Sequence, residues 1–243
     1  MTNTKIQRSD VISDAEFQGM LDLVDILDQP HIFFRKRDKS ILCLFKAFGK
    51  RRGELTTLEV ADLEIRGLNL SVTFTLLKKR RKQRLSVRSE KQMPLADPLT
   101  APIVDYWTWL QSEHPDCKYL FPTARYSGLT GILKIKNDSH MSGRQMLRRV
   151  KKYNENAWCH LFRETAGAEV VRSDNTIMAA FKVMLRLDLE DEKTALKYVR
   201  RYAVDVIRRG VSDSDRVEVE GMLKETPLTE KQREVLQNVL KRL

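Results

Sequence analysis

A mainly α-helical fold with a small antiparallel β-sheet is what this 243-residue sequence predicts. Three observations carry the prediction. Apolar residues recur at helical spacing through most of the chain, and a single stretch, Leu68, Leu70, Val72, Phe74 and Leu76, alternates at the period of a half-buried strand. A basic turn then leads into a returning stretch at Leu85, Val87 and Met93-Pro94-Leu95, which makes the pair a hairpin.

Residues 1–12 are mostly polar and read as a flexible arm ahead of a domain over 13–210. Ser13 and Glu16 have the spacing of a capping box, and Phe17, Met20, Leu21, Val24 and Leu27 lay out one face of a first helix. A second helix is predicted over about 38–48 from Ile41, Leu42, Leu44, Phe45 and Phe48. It leads into Gly49-Lys50-Arg51-Arg52-Gly53-Glu54-Leu55, where the spacing to Glu54 singles out Arg51 and leaves Lys50 and Arg52 to face solvent or the DNA backbone. An arginine anchored between two packed helices can aim its guanidinium fork at one phosphate, whereas a solvated one makes weak, salt-screened contacts. After a short helix holding Leu55 and Leu58, Val60 to Ile65 lead out toward the hairpin.

From Lys78 to Lys91 the hairpin carries eight basic residues against the single Glu90, the densest patch in the chain. Lys78 continues the apolar-facing parity of Phe74 and Leu76, while Lys79 falls on the other face. A helix from Pro98 to Ser112 follows, with Ile103, Val104, Trp107 and Leu110 on one side. Residues 123–140, rich in polar and small residues, read as a loop with one short strand at 132–135. Ser142 starts a basic helix bearing Arg144, Arg148, Arg149, Lys151 and Lys152, whose charges suit either a solvated face or phosphate contact. His160, Arg163 and Gly167 share one face of the next helix. Thr176, Ala180, Val183, Met184 and Leu187 mark another, and a last one from Ala195 to Arg208 contains Tyr198 and Tyr202. Residues 211–243 form a charged helical extension, whose Val235, Leu236, Val239, Leu240 and Leu243 stripe folds back on its own core or docks on another protomer as a homo-oligomer.

A hydrophobic fraction of 42% is ordinary for a globular protein. The apolar runs are too short to cross a bilayer, so no membrane partner is expected. With no export signal at the start and three widely spaced cysteines, Cys43, Cys117 and Cys159, the sequence reads as intracellular, without a disulfide framework, a zinc site or any cofactor. A net charge of +11 makes nucleic acid the leading partner.

Taken in order, the chain offers Arg51 after a buried helix, Lys78 on a hairpin, His160 and Arg163 on one helical face, and Tyr198 on a later helix. This order resembles the catalytic domain of the tyrosine recombinases, the phage integrase family. Gly49 to Leu55, with an arginine three residues before a glutamate, looks like the family's first box, and Val60 to Ile65 with Asp62 is similar to the acidic segment after it. Met93-Pro94-Leu95 and Leu120-Phe121-Pro122 match its punctuation. His160-Leu161-Phe162-Arg163 matches the second box, and Thr194, Lys197 and Tyr198 fall in its register.

The resemblance implies DNA strand cleavage and rejoining, as in site-specific recombination or integration. Arg51 and Arg163 grip the scissile phosphate, His160 donates to it, Lys78 protonates the departing 5′ oxygen and Tyr198 forms a 3′-phosphotyrosyl link without ATP or metal. Lys79 and Lys82 stand close enough to Lys78 to compete for its role. The residue types suit the chemistry, since two guanidinium groups and an imidazole can offset charge gathering on non-bridging oxygens. Double-stranded DNA is the implied partner, with Lys79, Arg80, Arg81, Lys82, Arg144 and Arg148 as its further contacts.

Two positions depart from the pattern. Leu189 stands where the family has a His or Trp, and Glu164 where a second histidine often follows the arginine. Arg163 and Tyr198 lie 35 residues apart, a little long for the pattern, and Tyr202 is an alternative nucleophile. A DNA-binding or regulatory protein of weakened chemistry and a type IB topoisomerase-like enzyme therefore stand as alternatives. The family's amino-terminal clamp domain has no counterpart in the dozen residues before the first helix. The resemblance thus implies a fragment, a stand-alone catalytic domain, or a chain whose partner supplies that core-binding domain.

Overall fold

The computed structural model describes residues 11–27, 31–77, 87–127, 129–173, 178–189 and 191–202, with single helical positions between 217 and 237. The elements run α1 (Asp14–Leu27), α2 (Ile32–Phe48), α3 (Arg52–Thr56), a 3₁₀ turn (Val60–Asp62), β1 (Leu63–Arg66), β2 (Asn69–Leu76), β3 (Val87–Pro94), α4 (Thr100–Glu113), β4 (Pro122–Tyr126), β5 (Leu133–His140), α5 (Gly143–Tyr153), α6 (Cys159–Ser173), α7 (Ala179–Leu187) and α8 (Glu192–Tyr202). The fold is mainly α with small antiparallel sheets, as predicted. The chain divides into two compact units, Met1–Phe162 and Arg163–Leu243, and the division falls inside α6. Among the described residues no helix is long and apolar enough to cross a membrane.

In the first unit α1 opens on the predicted capping box: the Glu16 amide donates to the Ser13 hydroxyl at 3.2 Å, and the Glu16 carboxylate accepts the Ser13 amide at 2.8 Å. Phe17, Met20 and Val24 are buried, and so is Ile12 of the predicted arm, whereas Leu27, assigned to the buried face, is exposed. Helix α2 starts at Ile32, six residues before the expected position, because the run Arg35-Lys36-Arg37-Asp38 is polar only in composition. The Arg37 guanidinium lies 5.1 Å and 4.9 Å from the Phe33 and Phe34 ring centres and donates to the buried Asp38 at 2.8 Å. Asp38 also accepts from Arg149 and, at 2.6 Å, from the Tyr153 hydroxyl, which ties α2 to α5. Arg149 is therefore a structural cation rather than part of a DNA-facing row.

Strands β1, β2 and β3 form one antiparallel sheet in sequence order, with Leu63 opposite Val72 and Leu76 opposite Val87. The alternation begins at Leu70, since Leu68 sits in the β1–β2 turn and is exposed. Residues 123–140 are not a loop: β4 and β5 pair as a second antiparallel hairpin, with Thr123 opposite Lys136 and Tyr126 opposite Leu133. The short strand expected at 132–135 is the start of β5, where half-buried Leu133 and Ile135 alternate with exposed Lys134 and Lys136, whereas β4 runs from buried Pro122 to exposed Arg125 and Tyr126 without such alternation. Helix α4 is tied down by Tyr106, whose hydroxyl donates to the Leu120 carbonyl at 2.8 Å, and by Trp107, whose indole donates to the Val60 carbonyl at 3.1 Å. In the same 3₁₀ turn as Val60, Asp62 accepts the Glu59 amide and pairs with Arg88.

The second unit has its own core of Ala166, Val171, Met178, Phe181, Met184, Leu187, Leu189, Ala195, Tyr198 and Val199, among others. Helix α7 stops at Asp188, a non-glycine residue in the left-handed region at φ 49°, whose amide donates to the Met184 carbonyl. Thr176, the α8 residues expected beyond Tyr202 and the C-terminal stripe from Val235 lie outside the described residues.

Candidate functional site

Helix α2 ends where Gly49 enters the left-handed region at φ 56° and donates its amide to the Phe45 carbonyl at 2.9 Å, a conformation in which a side chain is strained. The turn delivers Arg51 as the residue that caps α3. Buried Glu54 accepts the Arg51 amide at 2.8 Å through one oxygen and its guanidinium at 3.0 Å through the other. The three-residue spacing noted in the sequence thus holds the arginine by a buried carboxylate while about half of its side chain stays open.

Lys50 departs from expectation. Predicted to face solvent or DNA, it is fully buried, with its ammonium 4.5 Å from the centre of the Phe74 ring on β2. Arg52, given the same expectation, is exposed, and it lies so close to the start of α5 that a Cβ on Gly143 would come within 2.7 Å of its Nε. Lys50, Arg51 and Arg52 line one cleft together with Leu147, Trp158, Cys159 and His160. The first unit therefore brings Arg51 and His160 to a common basic cleft. Burial pushes the Cys159 thiol up to about 11, against the opposing pull of Arg52, so this cysteine is neutral and unreactive at neutral pH.

Helix α6 carries His160, exposed, in its first turn and Arg163 three residues on. In the second unit Arg163 is 2% exposed and donates through Nη2 to the carbonyl of Leu187, the last residue of α7, so it caps a helix C-terminus whose carbonyls lack partners within the helix. Tyr198 projects from α8 and is 7% exposed. Its ring rests on Gly167 of α6, where an added Cβ would lie 2.5 Å from Cδ1 and Cε1. Its hydroxyl donates to Glu164 Oε1 at 3.4 Å, and the Tyr202 hydroxyl donates to Oε2 of the same carboxylate at 3.5 Å. Burial, with the Glu164 charge next and Arg163 opposing, raises the Tyr198 phenol to about 12. Leu189, which stands in place of a hydrogen-bonding residue, is packed into the second core.

Arg144 and Arg148 lie exposed one turn apart on α5. Lys78, Lys79, Arg80, Arg81 and Lys82 lie outside the described residues. Among the described residues no group of three or more His, Cys, Asp or Glu side chains could hold a metal ion. Sequence reading missed the carboxylate shared by the two tyrosines. The available signal was Glu164 and Gly167 flanking the arginine at spacings of one and four, but only the packing of α8 gives that signal meaning.

No protein-family model matches the chain, and no curated protein matches it by sequence. Solved structures do. The chain is similar to the XerH site-specific recombinase bound to difH substrate in a pre-cleavage complex, with a TM-score of 0.57 at 13% identity over 78% of this chain and 50% of that one. It is also similar to XerH on a palindromic difH substrate in a post-cleavage complex, at 0.55, 13%, 79% and 50%. For the XerA recombinase the values are 0.51, 16%, 90% and 66%. The chain spans half the length of the XerH chains it matches. At these identities the likeness is one of fold, and that fold is like the recombinases'.

Proposed function

We propose that the protein cleaves and rejoins DNA strands through a 3′-phosphotyrosyl intermediate, as in site-specific recombination or integration. The observation that carries this reading is the first-unit cleft that gathers Arg51, Arg52 and His160, a set of donors for one anion. The arginine is held by buried Glu54 and needs little reorganisation to meet negative charge. Fold likeness to recombinases crystallised on DNA supports the same partner here, as does the net charge of +11.

In the proposed reaction Arg51, His160 and Arg163 neutralise the non-bridging oxygens of the scissile phosphate. The Tyr198 oxygen bonds to phosphorus as the bond to the 5′ oxygen breaks, and Lys78 supplies the proton that the leaving oxygen takes. Energy of the phosphodiester is retained in the phosphotyrosyl bond, so the reverse attack by a 5′ hydroxyl reseals the strand.

A second reading has an observation of its own. Tyr198 is seated against Gly167 and Leu189 is apolar, which fits a DNA-binding protein that keeps the fold without the chemistry. Incubating the full chain with a pool of nicked, strand-trapping duplexes of randomised sequence separates the two. The first reading expects a covalent protein–DNA adduct that disappears in Tyr198→Phe. An adduct that persists in that variant removes Tyr198 as nucleophile, and salt-sensitive binding with no adduct on any duplex establishes the second reading.

A further inference from the structure

One carboxylate in the second unit receives two phenols. Glu164 takes the Tyr198 hydroxyl on Oε1 at 3.4 Å and the Tyr202 hydroxyl on Oε2 at 3.5 Å, while Arg201 Nη1 stands 3.8 Å from Oε2. Tyr198 cannot settle elsewhere at no cost, because its ring fills the space that the missing Cβ of Gly167 leaves on α6. The phenol that the reading above makes the nucleophile therefore has its O–H directed at an anionic oxygen.

We infer that Glu164 is a catalytic residue, the general base that accepts the Tyr198 proton as the phenolic oxygen attacks phosphorus. This rests on Tyr198 being the nucleophile. The step balances: the Tyr198 O–H bond breaks and its proton passes to Glu164 Oε1, the O–P bond forms, and the P–O5′ bond breaks with a proton delivered to the 5′ oxygen from the general acid. In rejoining, protonated Glu164 returns the proton to the departing phenol.

A carboxylate is a far weaker base than a resting phenolate, so the transfer belongs late in the step, when bonding to phosphorus has made the phenol acidic. A protein kinase's catalytic-loop aspartate accepts a hydroxyl proton in the same way. At rest burial, and after it the same charge, keeps Tyr198 protonated. A contact of 3.4 Å is long for an O–H···O bond, and catalytic hydrogen bonds commonly tighten only once substrate is bound. The position that departs from the recombinase pattern toward an acidic residue thereby supplies a function in place of the one it lacks.

The experiment is single-turnover adduct formation as a function of pH, using a duplex recovered from the randomised pool. Among the described residues, the charged and titratable groups around the Tyr198 hydroxyl are Glu164 and Arg163 of α6 and Tyr202 of α8, with Arg201 on the far oxygen of Glu164; α7 contributes the Leu187 carbonyl that Arg163 holds. Wild type is expected to gain rate with pH through ionisation of a carboxylate and then level off. Glu164→Gln keeps an oxygen for either phenol but accepts no proton. It should slow adduct formation by about 10²–10⁴-fold, leave duplex affinity unchanged and replace the plateau with a rate rising tenfold per pH unit. Glu164→Asp should restore the plateau at an intermediate rate. An adduct formed by Glu164→Gln at the wild-type rate and pH profile overturns the inference and leaves Tyr198 as nucleophile. A wild-type profile without the carboxylate limb overturns it too, whether or not the glutamine variant folds. No adduct from wild type on any duplex overturns the proposed function and this inference together.

Discussion

Glu54 accepts both the backbone amide and the guanidinium of Arg51, at 2.8 Å and 3.0 Å, so one buried carboxylate starts helix α3 and aims the arginine. Glu54→Ala removes the acceptor from both donors and is expected to cost about 1–3 kcal/mol of stability. Glu54→Gln keeps an oxygen for the amide and should recover most of that stability while leaving Arg51 less constrained. Urea denaturation of the two variants beside adduct yield checks this. The alanine variant should lose both stability and yield, and the glutamine variant mainly yield.

Gly167 and Tyr198 are expected to be coupled. A methyl at residue 167 would sit 2.5 Å from the tyrosine ring, so Gly167→Ala should destabilise the protein by about 1–3 kcal/mol through overpacking. In a Tyr198→Ala background the clash is gone, and the same change should become neutral or stabilising by up to about 1 kcal/mol because alanine favours a helix over glycine. A double-mutant cycle by chemical denaturation reads the difference directly, and simple additivity would contradict the packing described.

Alkaline pH should weaken the fold in a defined window. Burial raises Cys43 to about 12 and Cys159 to about 11 from a usual value near 9, and Tyr198 to about 12 from one near 10. A group that holds its proton more tightly when folded stabilises fully below its unfolded pKa, and that contribution is lost as pH rises toward the folded value. Stability should therefore be level with respect to these groups below about pH 9 and fall from there to about 12. Cys43→Ala should flatten the start of the decline, and a thiol-reactive disulfide reagent should label Cys43 and Cys159 only slowly at pH 8.

Arg144, Arg148 and Arg149 share helix α5 but should part company under mutation. Arg144 and Arg148 are exposed, so replacing each by alanine should lower the log-log salt slope of duplex binding by roughly 0.9 if each contacts a phosphate, with little change in stability. Arg149 donates to buried Asp38, so Arg149→Ala should cost about 1–3 kcal/mol and leave the slope as it was. Salt titrations of binding and denaturation curves on the three variants decide the matter.

Local spacing by itself determined a large part of this protein. The Ser13 and Glu16 pair marks the start of α1, the Leu70 to Leu76 alternation marks β2, and Arg51, Glu54, His160 and Arg163 stand out because capping, helix faces and ion pairing within a turn are short-range effects. Packing between distant segments decided the rest. Lys50 reads as one of three consecutive basic residues, yet β2 lays Phe74 over it and buries it completely. Arg37 and Asp38 read as surface charge until α5 brings Arg149 and Tyr153 to complete their pairing. Strand β4 and the second half of β5 read as loop because their sequences lack apolar alternation and their place is set by cross-strand hydrogen bonds, whereas Leu133 and Ile135 mark the start of β5 by spacing alone. Glu164 reads as a lost histidine until α8 sets two phenols on its carboxylate. The residues and their order are thus a property of the sequence. Which charges are buried, and which oxygen faces the tyrosine, depends on contacts between residues tens of positions apart that no local pattern encodes.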